Sequence, residues 1–87
     1  MNNIAQTINE LNEFFSNGYS MKEVMNTLRR KYEEFMMKTY NVPDWKCDEK
    51  WLYHLAAGII NRPIEQITIG WIYKQFAEQA KIEIMEN

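Results

Sequence analysis

The sequence has little of what would mark it as anything but an ordinary globular chain. Its single cysteine, Cys47, leaves no partner for an internal disulfide, so folding does not depend on an oxidising compartment and the cytoplasm is the expected location. With 3 Gly and 2 Pro in 87 residues, against 46% hydrophobic and 25% charged positions, collagen-like, linker-like and disordered chains are excluded. The glycines, at 18, 58 and 70, are too scattered for a phosphate-cradling loop. No apolar run approaches the roughly 20 residues of a membrane span. The stretch "MNNIAQTINE" has neither the basic start nor the apolar core of a secretory leader, so no membrane partner is expected. A formal net charge of −2 supplies no general attraction for phosphate.

What is present is helical periodicity. From Asn3, the residues Ile4, Ile8, Leu11, Phe14 and Phe15 recur at steps of three and four, which puts them on one stripe of a helix ending near Asn17. Gly18 then suits the left-handed backbone that follows a helix. In "YSMKEV", Ser20 and Glu23 form a capping box, with Tyr19 and Val24 placed as a hydrophobic staple across it. Met21, Val24, Met25, Leu28, Tyr32 and Phe35 make the inward stripe of the second helix, with Met36 at its edge. The short "NGYS" joint predicts that these two helices form an antiparallel αα-hairpin.

"TYNVPDWKCD" interrupts the pattern, because Pro43 disfavours helical geometry at Val42. Asp48 is the expected N-cap of a third helix reaching about Ile60, and Asp44 caps an earlier turn. Trp51, Leu52, Leu55 and Ile59 form its main face, while Tyr53, Ala56 and Ile60 add a second apolar edge, the pattern of a central helix. A single turn over Pro63 to Ile67 leads to Thr68 as the cap of a last helix, from Ile69 to about Ile84. "ITIGWIY" has strand-like composition but no second run to pair with. The expected fold class is all-α: one small four-helix domain over residues 1–87, an N-terminal αα-hairpin plus two further helices.

Catalytic constellations are not legible. Cys47 and His54 are seven residues apart, which on one helix would be two turns, too far for a thiol and its base to share a proton. Asp44 with Asp48, and Glu33 with Glu34, are pairs rather than the convergent three or four ligands a metal needs, and neighbouring Glu33 and Glu34 diverge by about 100 degrees on a helix. No enzyme activity and no cofactor are expected.

Binding residues are more visible. Aromatic residues make up 14% of the chain, and several fall off the core stripes. On the last helix, Ile69, Ile72, Tyr73, Phe76 and Ala80 share one face, and Trp71, Gln75, Glu78 and Ile82 share the opposite one. Trp and Tyr dominate binding hot spots, so Trp71, Gln75, Glu78 and Ile82, with Tyr53 and the outward Met37, form the expected partner-facing set. The competing interpretation is that Trp71 faces another helix of its own chain.

Basic residues concentrate on the second helix, but Arg29 with Glu33 and Arg30 with Glu34 are spaced as neutralising i,i+4 pairs. "RPIEQITIGWIYKQFAEQ", Arg62 to Gln79, has the break, cap and helix rhythm of a helix-turn-helix, although its connection is long and Trp71 and Glu78 suit a DNA surface poorly. The function expected from these residues is non-catalytic: a small regulatory or inhibitory protein that binds another protein, with a homodimer as one form of that association. The alternative is a helix-turn-helix-like DNA-binding transcriptional regulator, with Lys22, Arg29, Arg30 and Lys74 contacting nucleic acid or an acidic partner. Richness in Asn, Ile, Lys and Glu suits a low-GC bacterial or phage genome, and an inhibitor encoded by a mobile element fits this size.

Overall fold

A computed structural model of the chain describes residues 4–86. Among them are four α-helices, α1 (Ile4–Phe14), α2 (Met21–Tyr40), α3 (Glu49–Asn61) and α4 (Ile69–Glu86), with a 3-10 turn, Ile64–Gln66, between the last two. The chain is therefore all-α, an N-terminal helix pair followed by two further helices. The expected start at Asn3 and the side chain of Ile4 lie outside the described residues.

Local chemistry sets the boundaries. The Ser20 hydroxyl accepts the N–H of Glu23 at 3.2 Å, the Asp48 carboxylate accepts those of Lys50 and Trp51 at 2.9 and 3.4 Å, and the Thr68 hydroxyl accepts that of Trp71 at 3.0 Å. Each such cap stabilises its helix by about 1 kcal/mol. Gly18, at φ +116°, and Asn41, at φ +57°, adopt the positive-φ backbone that follows α1 and α2. Asp44, expected to cap an earlier turn, sits instead at φ +57° within the connection, and the next helix begins only at Glu49. α1 stops at Phe14 rather than near Asn17 because the chain tightens there, the Gly18 N–H donating to the Phe15 carbonyl at 2.9 Å.

The spine of the fold is α2, whose Val24, Leu28, Tyr32 and Met36 recur every fourth residue and are fully buried. Met36 thus belongs to the centre of the stripe and not its edge, and Thr27 is buried beside it. Met21, Met25 and Phe35 are half-buried along its margins. α2 lies closest to α3 and also meets α4, whereas α1 rests against α4 and the 3-10 turn. The Tyr32 ring stands 4.8 Å from that of Trp51 and 5.3 Å from that of Phe76, so three helices close on one aromatic. Burying side chains of this size contributes about 1.5–3 kcal/mol each.

α3 is not the central helix that its two apolar edges suggest. Leu52, Ala56 and Ile59 are buried, but Tyr53 and Ile60 remain 51% and 39% exposed. The reason is thickness: the shortest dimension of the molecule is 18 Å. Two helix layers need about 15 Å between their outermost backbones and three need about 25 Å, so this fold has two layers and no helix is covered on both sides. The Tyr19 ring stands 5.5 Å from that of Phe15, and its hydroxyl donates to Asn12 Oδ1 of α1 at 2.8 Å.

Candidate protein-binding surface

α3 and α4 are joined by the "NRPIEQIT" connection, and side chains of both line a depression of about 250 Å³. Trp51 and His54 line it from α3, and Trp71 and Gln75 from α4. The caps aim these side chains: Asp48 holds the turn that carries Trp51, and the Thr68 hydroxyl holds the amide of Trp71 itself. Gly58 also lines the depression, and a Cβ there would have no atom within 4 Å. Glycine inside a helix costs about 1 kcal/mol relative to alanine, and nothing in the packing requires it at this position. Arg62 crosses the open end with its guanidinium 5.0 Å from the centre of the Trp71 ring, within cation–π range.

The same arginine borders a second depression of about 250 Å³ on its other side, between α1, the 3-10 turn and the end of α3. Arg62 thus separates two hollows that open on neighbouring parts of the surface.

The expected partner-facing residues are brought together only in part. Trp71 is half-buried and packs against the core margin, so it faces its own chain on one side and the depression on the other. Gln75 joins it there. Glu78 and Ile82 continue along α4 in solvent, Ile82 being 51% exposed. Tyr53 lies on the opposite flank of α3 from Trp51 and Gly58, because positions 51, 54 and 58 share one side of a helix and position 53 does not. Met37, 47% exposed, follows Arg30 by two helical turns on the outer side of α2 and belongs to neither hollow.

The basic set does not converge either. Lys22, Arg30 and Lys74 are exposed on two different helices. Arg29 is engaged by Glu49 of α3 through two bonds of 2.9 and 3.2 Å, and by Asn26 at 2.8 Å. The expected neutralising partner, Glu33, is replaced because the first turn of α3 presents a carboxylate across the α2–α3 interface in forked geometry. That bond holds the Glu49 carboxyl below its usual range and raises the guanidinium of Arg29 further.

Sequence reasoning missed the polar centre of the fold. The Glu83 carboxylate on α4 accepts the Tyr32 hydroxyl at 3.1 Å, the Trp45 indole N–H, and the Gln79 amide at 2.8 Å. Only the four-residue spacing of Gln79 and Glu83 was legible, since Tyr32 and Trp45 reach the site from distant parts of the chain. Burial, with Glu83 close by, raises the Tyr32 hydroxyl far above the ordinary phenol range. Cys47 is buried, and desolvation pushes its thiol up to about 11, the opposite of an activated nucleophile. Cys47 and His54 line different depressions. Among the described residues, no three His, Cys, Asp or Glu side chains converge in a way that could hold a metal ion, and no helix is long and apolar enough to cross a membrane.

Comparison of the chain with protein-family models, with curated proteins and with solved structures finds no match.

Proposed function

We propose that this is a small non-catalytic regulatory or inhibitory protein that acts by binding another protein through the depression between α3 and α4. The observation that carries the reading is Gly58. A helix-interior glycine with open space where its Cβ would stand gives up stability and leaves a hollow walled by Trp51 and Trp71. Tryptophans at the wall of a hollow supply a large contact area at small conformational cost, which is why they recur as binding anchors. An inhibitor carried by a phage or another mobile element, working in the cytoplasm, is the biological setting that fits the size and composition.

Gly58→Leu separates binding from folding. It fills the depression while improving helix propensity, so the expected thermal midpoint is equal to or above that of the unaltered protein. Tagged protein and the Gly58→Leu variant are compared by affinity capture from host extract with quantitative mass spectrometry. A protein recovered by the first and lost with the second supports the reading; an identical set from both, or no saturable partner, refutes it. The competing DNA-binding proposal predicts a salt-dependent mobility shift of duplex DNA that Arg30→Ala and Lys74→Ala weaken. Light scattering distinguishes a foreign partner from self-association.

A further inference from the structure

We propose that the hollow between α1, the 3-10 turn and the end of α3 is a second docking site, for a partner-protein segment that presents one bulky apolar side chain with a carboxylate close by. It rests on the protein-binding reading above but uses a different surface.

The floor of this hollow is made by Leu11 of α1, Phe15 just beyond its end, Ile59 of α3 and Ile67 beyond the 3-10 turn, all buried and all apolar. Its rim is apolar as well, with Tyr19 and Ile60 40% and 39% exposed. Size narrows the occupant. At about 250 Å³ the hollow falls below the roughly 300–1,000 Å³ of typical small-molecule sites. It exceeds the roughly 150 Å³ apolar cavity that already accepts a benzene ring. One inserted leucine, methionine or phenylalanine side chain matches this range, as in the anchor-and-pocket pairs that dominate protein interfaces.

Charge narrows it further. Arg62 is the single charged group lining the hollow. Among the described residues it forms no ion pair, Glu65 in the following turn included. Its guanidinium lies over the Trp71 ring, 5.0 Å from the ring centre, and a cation–π contact of this kind does not use up the N–H donors that a carboxylate would take. An apolar floor beside an uncommitted arginine is complementary to an apolar residue followed by Asp or Glu. A basic segment would meet a like charge at the rim.

The test is selection of displayed random 12-residue peptides on the whole protein, with Ile60→Glu, Arg62→Glu and Gly58→Leu variants alongside. Both altered groove positions are at the surface, and circular dichroism melts establish that the variants fold. Peptides enriched on the unaltered protein are expected to carry a bulky apolar residue within a few positions of Asp or Glu. A synthetic peptide of that consensus is expected to lose about tenfold or more in affinity for Ile60→Glu and for Arg62→Glu, and to bind Gly58→Leu unchanged. Arg62→Glu used as bait is expected to select basic peptides instead. The proposal is overturned by the absence of saturable enrichment, by consensus peptides lacking an acid, or by binding that survives Ile60→Glu. A dimer seen by light scattering and broken by Ile60→Glu also overturns it, because the occupant is then a second copy. Peptides lost only with Gly58→Leu would refute this groove and leave the α3–α4 reading standing.

Discussion

Removing the Glu83 carboxylate tests the claim that one polar acceptor ties α2, the α2–α3 connection and α4 together. In Glu83→Ala, the Tyr32 hydroxyl loses an acceptor at a fully buried position, which costs about 1–3 kcal/mol. Trp45 is half-buried, so its indole N–H falls at the low end of that range, about 1 kcal/mol, while the half-buried Gln79 sits one turn from Glu83 on the same helix, where its amide can turn to water, and contributes little. Together these predict a loss of about 3 kcal/mol, a fall in thermal midpoint on the order of 15 °C for a domain of this size. Glu83→Gln keeps an acceptor oxygen but not the charge, and is expected to cost about 1 kcal/mol. Urea unfolding followed by far-ultraviolet circular dichroism measures both. A double-mutant cycle with Tyr32→Phe isolates the hydroxyl–carboxylate bond, with an expected coupling of about 1–2 kcal/mol. A coupling within about 0.3 kcal/mol of zero, or a Glu83→Ala cost below about 0.5 kcal/mol, would show that the carboxylate is replaceable by water and that packing alone joins the elements.

Alkaline pH provides a second perturbation. Tyr32 and Cys47 hold their protons more tightly folded than unfolded, so their contribution is whole below the unfolded values and is lost as pH rises. Stability should start to fall near pH 9 through Cys47, whose folded thiol lies at about 11, and more steeply above pH 10 through Tyr32, by up to about 1.4 kcal/mol per pH unit for each proton. Tyr32→Phe should flatten the limb above pH 10; an unchanged slope refutes the assignment. At pH 7.5 the Cys47 thiol should react with a disulfide reagent far more slowly in the folded protein than in urea, and equal rates would refute its burial.

The helices were legible because each is specified within a few residues. Ser20, Asp48 and Thr68 cap their own chain segments, Gly18 takes a backbone that side chains avoid, and the spacing of Val24, Leu28 and Tyr32 marks an inward face wherever that face turns. Trp71, which lines the α3–α4 depression, was also legible as an aromatic off the core stripe. Periodicity records only that a residue shares a face with others, not what lies opposite that face. The partner of Arg29 is Glu49 of another helix, Glu83 gathers Tyr32 and Trp45 from distant segments, and neither pairing has a local signal. Gly58 reads in the sequence only as one of three scattered glycines. Only the placement of α3 beside α4 makes it the lining of a hollow, and Arg62, over the Trp71 ring, lines both that hollow and the next. The sequence by itself determined the helices and their caps, because those depend on neighbours along the chain. The tertiary structure decided which apolar edges stay uncovered, because a fold two layers thick cannot bury both sides of any helix.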